Sequence, residues 1–166
     1  MLRTSAIFIF AVLTASSSHA SDLVTRAEAN ELRLSRGSVV PRVERDKDGS
    51  VVSLRLNEMD LSDDDVRRIG QLRHLRRLVL FRTEFTDSDL AQLKGCRNLE
   101  HLNLTSTEVT DEGIDTILQL KKLRSLCIGD VNISPEAVER LRELNRSRAS
   151  RRDYLRWGYS RRKKSI

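Results

Sequence analysis

Four leucines, Leu54, Leu78, Leu102 and Leu126, follow one another at intervals of 24 residues, and that period governs what the chain can fold into. The same spacing brings six more apolar columns into register. Val51, Leu75, Leu99 and Leu123 form one, and Leu56, Leu80, Leu104 and Ile128 another. Leu61, Phe85, Val109 and Ile133 come next, then Val66, Leu90, Ile114 and Val138. Ile69, Leu93, Ile117 and Leu141 follow, and Leu72, Cys96, Leu120 and Leu144 close the unit. A single 24-residue unit cannot bury its own apolar face, so the units must stack. Each leucine buried by stacking contributes about 1.5–3 kcal/mol.

Each unit has two halves with different periods. Around Leu78-Val79-Leu80 the apolar residues alternate, as in a short strand with Leu78 and Leu80 facing inward. From Leu90 through Leu93 to Cys96 they recur every third residue, as along a helical turn. Between the halves, Ser62, Thr86, Thr110 and Ser134 stand where helix N-caps belong. Acids crowd the turn after them (Asp63, Asp64 and Asp65 in the first unit), and Pro135 occupies the first helical position of the last. The acidic triplet is thereby explained by capping and the helix dipole, without a cation.

The string L-x-x-L-x-L-x-x-T-x-V-T-D, read from Leu99 to Asp111, resembles the leucine-rich-repeat family, in particular bacterial 24-residue repeats with Thr at the corner in place of Asn. The resemblance spans residues 39 to 144. It departs at Met59 in the first unit, and at Val131 and Pro135 in the fourth, both terminal units where capping alters the pattern. It implies an α/β fold: a leucine-rich-repeat solenoid of four strand-helix units, with a parallel concave sheet and convex helices. It also implies that the concave face binds other proteins, and it carries no catalytic residues and no cofactor.

The ends differ from the body. Residues 1–20 have the layout of a secretory signal peptide: Arg3, an apolar run from Ala6 to Ala15, then Ser18-His19-Ala20 before the cleavage point. That run is half the roughly 20 residues of a membrane span, which disfavours an uncleaved anchor. A secreted or periplasmic location is expected. Residues 21–50 are read as an N-terminal cap, in which Asp22 to Leu34 can form a helix. Val39 to Glu44 forms a hairpin with Val51 to Leu56 through a turn at Gly49. Residues 51–144 hold the four repeats, and residues 145–166 form a basic C-terminal tail.

That tail distorts the net charge of +6. It holds nine basic residues against Asp153 alone. Setting aside its eight net positive charges and the one on Arg3 leaves residues 21–144 at −3. Arg151, Arg152, Arg156, Arg161, Arg162, Lys163 and Lys164, with Trp157 among them, are candidate contacts for an anionic polymer or membrane surface. The favoured arrangement has the first part of the tail, with Tyr154, Leu155 and Trp157, capping the last repeat, and the rest as a solvated basic end. Export argues against nucleic acid as a partner.

On the strands, residues alternating with the buried leucines form the candidate protein-binding face: Arg55, Arg77, Val79, Phe81, His101, Asn103 and Cys127. Phe81 beside Arg55 and Arg77 has the composition of an interaction hot spot, unless its ring only packs along the ladder. A metal site needs three or four converging ligands, and only His101 and Cys127 approach each other here. Cys96 falls in an apolar helix column and Cys127 points to the opposite wall, too far for a disulfide. Cys127 is then an exposed thiol, free or paired with another molecule. Without a nucleophile–base pair, a phosphate loop or H-E-x-x-H, the chain reads as a binding scaffold and not an enzyme.

Overall fold

In a computed structural model, which describes residues 41–148 and 156–158, six strands form one sheet in sequential order. Strand β1 (Arg42–Arg45) pairs antiparallel with β2 (Val51–Arg55), as the hairpin signal predicts, with Gly49 at φ 80° in the turn. The sheet then runs parallel through β3 (Arg77–Val79), β4 (His101–Asn103), β5 (Ser125–Cys127) and β6 (Arg156–Gly158). Leu54, Leu78, Leu102 and Leu126 lie opposite one another across it, so the sequence period is the sheet register. Behind the sheet stand α1 (Asp63–Gly70), α2 (Asp87–Gln92) with a 3-10 turn after it, α3 (Asp111–Gln119) and α4 (Pro135–Arg148). The seven columns make one continuous core between the two layers. Only Leu61, Leu72 and Leu144, all in the terminal units, are less than fully buried.

Where each strand turns toward its helix, one residue per unit takes a left-handed backbone. These are Glu58, Arg82, Ser106 and Asp130, at φ 55°, 55°, 58° and 55°. Such a residue costs about 1–2 kcal/mol outside glycine. It turns the amide of Glu58, Arg82 and Ser106 onto the next unit's carbonyl, at Phe81, Thr105 and Gly129, over 2.8, 3.0 and 2.8 Å. The ladder thus continues around the corner after the strand has ended. The next residue is the buried corner. Thr83 and Thr107 donate their hydroxyls to the carbonyls of Leu80 and Leu104 at 3.0 and 2.7 Å. In the terminal units Met59 and Val131 fill the same place with apolar atoms, 1% and 2% exposed. The departures at Met59 and Val131 therefore preserve burial and drop only the hydroxyl.

Helix starts are secured in two ways. In the first two units the cap and the third helical residue bond reciprocally, Ser62 with Asp65 and Thr86 with Asp89. In the last two units that position holds Gly113 and Ala137, which cannot reach back. The preceding unit supplies the carboxylate instead. Asp87 accepts from the amide and hydroxyl of Thr110 at 2.9 and 2.6 Å, and Asp111 accepts from the Ser134 amide at 2.7 Å. The acids placed at helix starts by the sequence pattern are thus of two kinds, some capping their own helix and some bridging repeats.

One boundary at the C-terminal end needs correction. The boundary after residue 144 falls inside α4, which continues to Arg148. Beyond it, Arg156 and Trp157 belong to β6, with Trp157 opposite Leu126, on the edge where the first part of the tail is expected to cap the last repeat. The Ile128 amide donates to the Gly158 carbonyl at 3.0 Å. An open parallel edge needs a partner strand, and this one arrives off the 24-residue period, which is why the columns do not reveal it. The proposed leader (1–20), the helix read over 22–34, and Arg151, Arg152, Arg161, Arg162, Lys163 and Lys164 lie outside the described residues.

Candidate interaction face

Alternation along a strand sends successive side chains to opposite sides. With Leu54, Leu56, Leu78 and Leu80 wholly buried against the helices, the intervening residues emerge on the sheet's other side. Helices need more room than strands, so this side is the inner one of a curved stack. Two rows run across it. One reads Ser53, Arg77, His101, Ser125, and the other Arg55, Val79, Asn103, Cys127. Six of the residues expected on the face, Arg55, Arg77, Val79, His101, Asn103 and Cys127, stand in these rows, and Phe81 follows two residues after Val79. Arg77 and Cys127 are exposed, while Arg55, Val79, Phe81, His101 and Asn103 are half-buried.

The rows differ in how well their polar atoms are served. Asn103 is held locally, its Oδ1 accepting from the Thr105 amide at 2.9 Å. At the first strand and just past it, by contrast, Ser53 Oγ, Arg55 Nε and Asn57 Oδ1 are all buried and lack a hydrogen-bond partner among the described residues. Ser53 is only 4% exposed although it faces away from the core. An unsatisfied buried polar atom costs about 1–3 kcal/mol, and three at alternate positions along one strand and the turn after it form a stripe rather than a stray defect.

The surroundings of Phe81 differ from the sequence expectation. The guanidinium of Arg82, not that of Arg55 or Arg77, lies over its ring, 5.0 Å from the centroid. Arg82 is in turn paired with Glu58 at 3.1 Å. The left-handed backbone at residue 82 makes this stack possible, and no residue type in that column (Glu, Arg, Ser, Asp) announces it. Arg82 is thus a neighbour of Phe81 that the sequence reading lacks, whereas Ser53 and Asn57 follow from the strand alternation.

His101 lies between cations. Burial, then the neighbouring Arg77 and also Arg124, hold its imidazole below the usual range, and Glu100 opposes them in part. It is therefore neutral at physiological pH, and the row around it carries positive potential. Cys96 is a core thiol whose Sγ donates to the Ile69 carbonyl at 3.1 Å. Burial pushes its ionisation up to about 12. Cys127, opposite Asn103, is exposed and free. Among the described residues no three His, Cys, Asp or Glu side chains converge as metal ligands would. No helix among them is long and apolar enough to cross a membrane.

A family model described as Leucine Rich repeat matches residues 95–118, the stretch from the end of the second unit through the third helix. No curated protein matches the chain. Among solved structures, PEPR1-AtPEP1 is 15% identical with a TM-score of 0.41, covering 72% of this chain and 19% of its own. The leucine-rich-repeat ectodomain of the receptor kinase SOBIR1 from Arabidopsis thaliana is 13% identical with a TM-score of 0.41, covering 88% and 93%. The chain thus spans about a fifth of the first structure's length, and both likenesses are too distant to bear on function. The matched unit and the three others that repeat its columns in the same sheet register give the chain the strand-helix architecture of a leucine-rich-repeat solenoid.

Proposed function

We propose that the chain is an exported, non-enzymatic scaffold that holds a segment of a partner protein on the open face of its sheet, at the first two repeats. The observation that carries this reading is the row Ser53, Arg55 and Asn57, whose buried polar atoms have no partner among the described residues. A hydroxyl, a guanidinium N–H and an amide oxygen suit a polypeptide, which offers carbonyls, carboxylates and N–H groups at alternating positions. Beside the stripe, Arg77 adds charge and the Arg82-covered ring of Phe81 adds apolar area. Val79, His101, Asn103 and Cys127 extend the face toward later repeats.

The test is capture of a partner from the native envelope fraction with residues 21–166, followed by affinity measurement on the purified pair. Arg55→Ala, Arg77→Ala and Phe81→Ala should each weaken binding about tenfold or more at high salt, as hot-spot truncations do. A partner indifferent to all three places recognition elsewhere on the molecule.

A second reading is favoured by the charge count of residues 145–166, nine cations to one acid. In it, Arg151, Arg152, Arg161, Arg162, Lys163 and Lys164 tether the protein to an anionic surface. Binding of that kind falls steeply as salt rises, and a flat salt dependence would exclude it.

A further inference from the structure

The mildly acidic body conceals a separation of charge that appears only once the units are stacked. On the rim where strands enter the sheet, Arg73, Arg97 and Lys121 recur at the 24-residue period and stand one above another, all exposed. Arg76, Lys94 and Lys122 lie beside them on the same rim, also exposed. On the opposite rim, where strands leave the sheet, Asp60, Glu84 and Glu108 form the matching ladder of acids. Neighbouring parallel strands are about 4.8 Å apart, so each ladder holds like charges at close to that pitch. Like charges set directly across a sheet are destabilising.

One acid, Glu100, stands on this rim, in the column of Arg76 and Arg124. Among the described residues none of these six cations forms an ion pair; the pairs involve other arginines, such as Arg67 with Asp64 and Arg82 with Glu58. The rim is nonetheless ordered by neutral bonds. Lys122 Nζ donates to Asn98 Oδ1 at 2.6 Å, and Asn98 Nδ2 donates to the Arg73 carbonyl at 2.8 Å, linking three successive units. The six cations therefore outnumber the single acid Glu100 on a braced surface and form no ion pair among the described residues.

We propose that this rim is a docking face for an anionic lipid bilayer. Its shape selects the occupant. Three rungs at sheet spacing extend only about 10 Å along the stack, too short a track for a linear polyanion to use. Arg76, Lys94 and Lys122 instead widen the patch across the rim, which suits a planar array of headgroups. No helix or strand projects from these turns, as entry into a nucleic-acid groove would require. With the acidic rim repelled, the molecule stands on edge, and the inner face of the sheet opens along the membrane surface.

The experiment is co-sedimentation of the full chain with vesicles of phosphatidylcholine alone and of equal parts phosphatidylcholine and phosphatidylglycerol, at low salt. Binding to the anionic vesicles only is expected. Each cation near such a surface changes partitioning roughly fivefold, so the triple variant Arg73→Gln, Arg97→Gln, Lys121→Gln should bind roughly a hundredfold more weakly. The charge-keeping triple Arg73→Lys, Arg97→Lys, Lys121→Arg should bind as the parent does, and thermal melting checks that both are folded. A second background, with Arg161, Arg162, Lys163 and Lys164 changed to Gln, should show the same relative loss. Equal binding by the Gln triple and its parent would assign adsorption to residues 145–166 and overturn the proposal. So would binding that is the same for both vesicles, or a Gln-triple loss seen with soluble polyphosphate but not with vesicles. None of these outcomes depends on a partner at the sheet face.

Discussion

Gly113 occupies the third position of a helix, where alanine is ordinarily the better residue by about 0.5–1 kcal/mol. A Cβ there would lie 2.3 Å from Asp87 Oδ1, 2.8 Å from Val109 Cγ1 and 2.9 Å from Leu90 Cδ2. It would expel the carboxylate that accepts from Thr110, and hydrogen bonds to a charged group contribute about 1.5–3 kcal/mol. The second effect wins, so Gly113→Ala should lower stability by about 1–2 kcal/mol in urea denaturation. In an Asp87→Ala background most of that loss should vanish. Cys96 gives a pH-dependent prediction. Its folded ionisation lies at about 12 against an ordinary 9.0, so the folded state keeps the proton that the unfolded state releases first. This contribution is intact below pH 9 and declines as pH rises toward 12, by up to about 4 kcal/mol. Cys96→Ala should flatten the alkaline arm of the stability curve. A thiol reagent at pH 8 should label Cys127 in the native chain, and Cys96 only after unfolding.

The helix-to-strand corners of the first two units meet backbone to backbone. A Cβ at Gly95 would stand 2.1 Å from the Gly70 carbonyl oxygen, and one at Gly70 2.5 Å from that of Gln92. A main-chain oxygen has no rotamer to yield, so Gly95→Ala should cost about 1–3 kcal/mol, read as a lowered melting temperature. Restoring the backbone gap is impossible by any side-chain change, so no second-site hydrophobic substitution should rescue it. Period and composition place these glycines near helix ends, but not against each other, since Gly70 and Gly95 are off register by one position. The left-handed corner residues were equally hidden. Their function is carried by the backbone amide, so the side chain is free to vary, and the column reads as noise.

Across the whole molecule, the stack has to end. Strand β6 supplies the last rung by pairing with β5, and the Ile128 amide finds the Gly158 carbonyl there. Truncation after Arg148 should leave β5 as an unpaired parallel edge, lowering the melting temperature and promoting self-association in sedimentation velocity. Leu102, 2% exposed in the central strand, tests the opposite limit. Leu102→Asp buries an unpaired charge and should abolish cooperative folding, seen as loss of the thermal transition. Because each unit is stabilised by its neighbours, damage at the centre exposes two interfaces, whereas damage at an end exposes one.

The sequence alone determined the repeat, its strand and helix halves, the buried columns and the side of the sheet on which Arg55, Arg77, Val79, Phe81, His101, Asn103 and Cys127 emerge. These follow from periodicity, because burial of apolar side chains is local in register and repeats with the chain. Only the tertiary structure decided which polar atoms lack a partner, which acid caps which helix, where the sheet ends, and that like charges gather on opposite rims. Those properties depend on contacts between residues about 24 or more apart and on the orientation of backbone amides. A one-dimensional pattern of residue types does not encode them, since the same Asp can cap its own helix or its neighbour's according to the space left by a glycine.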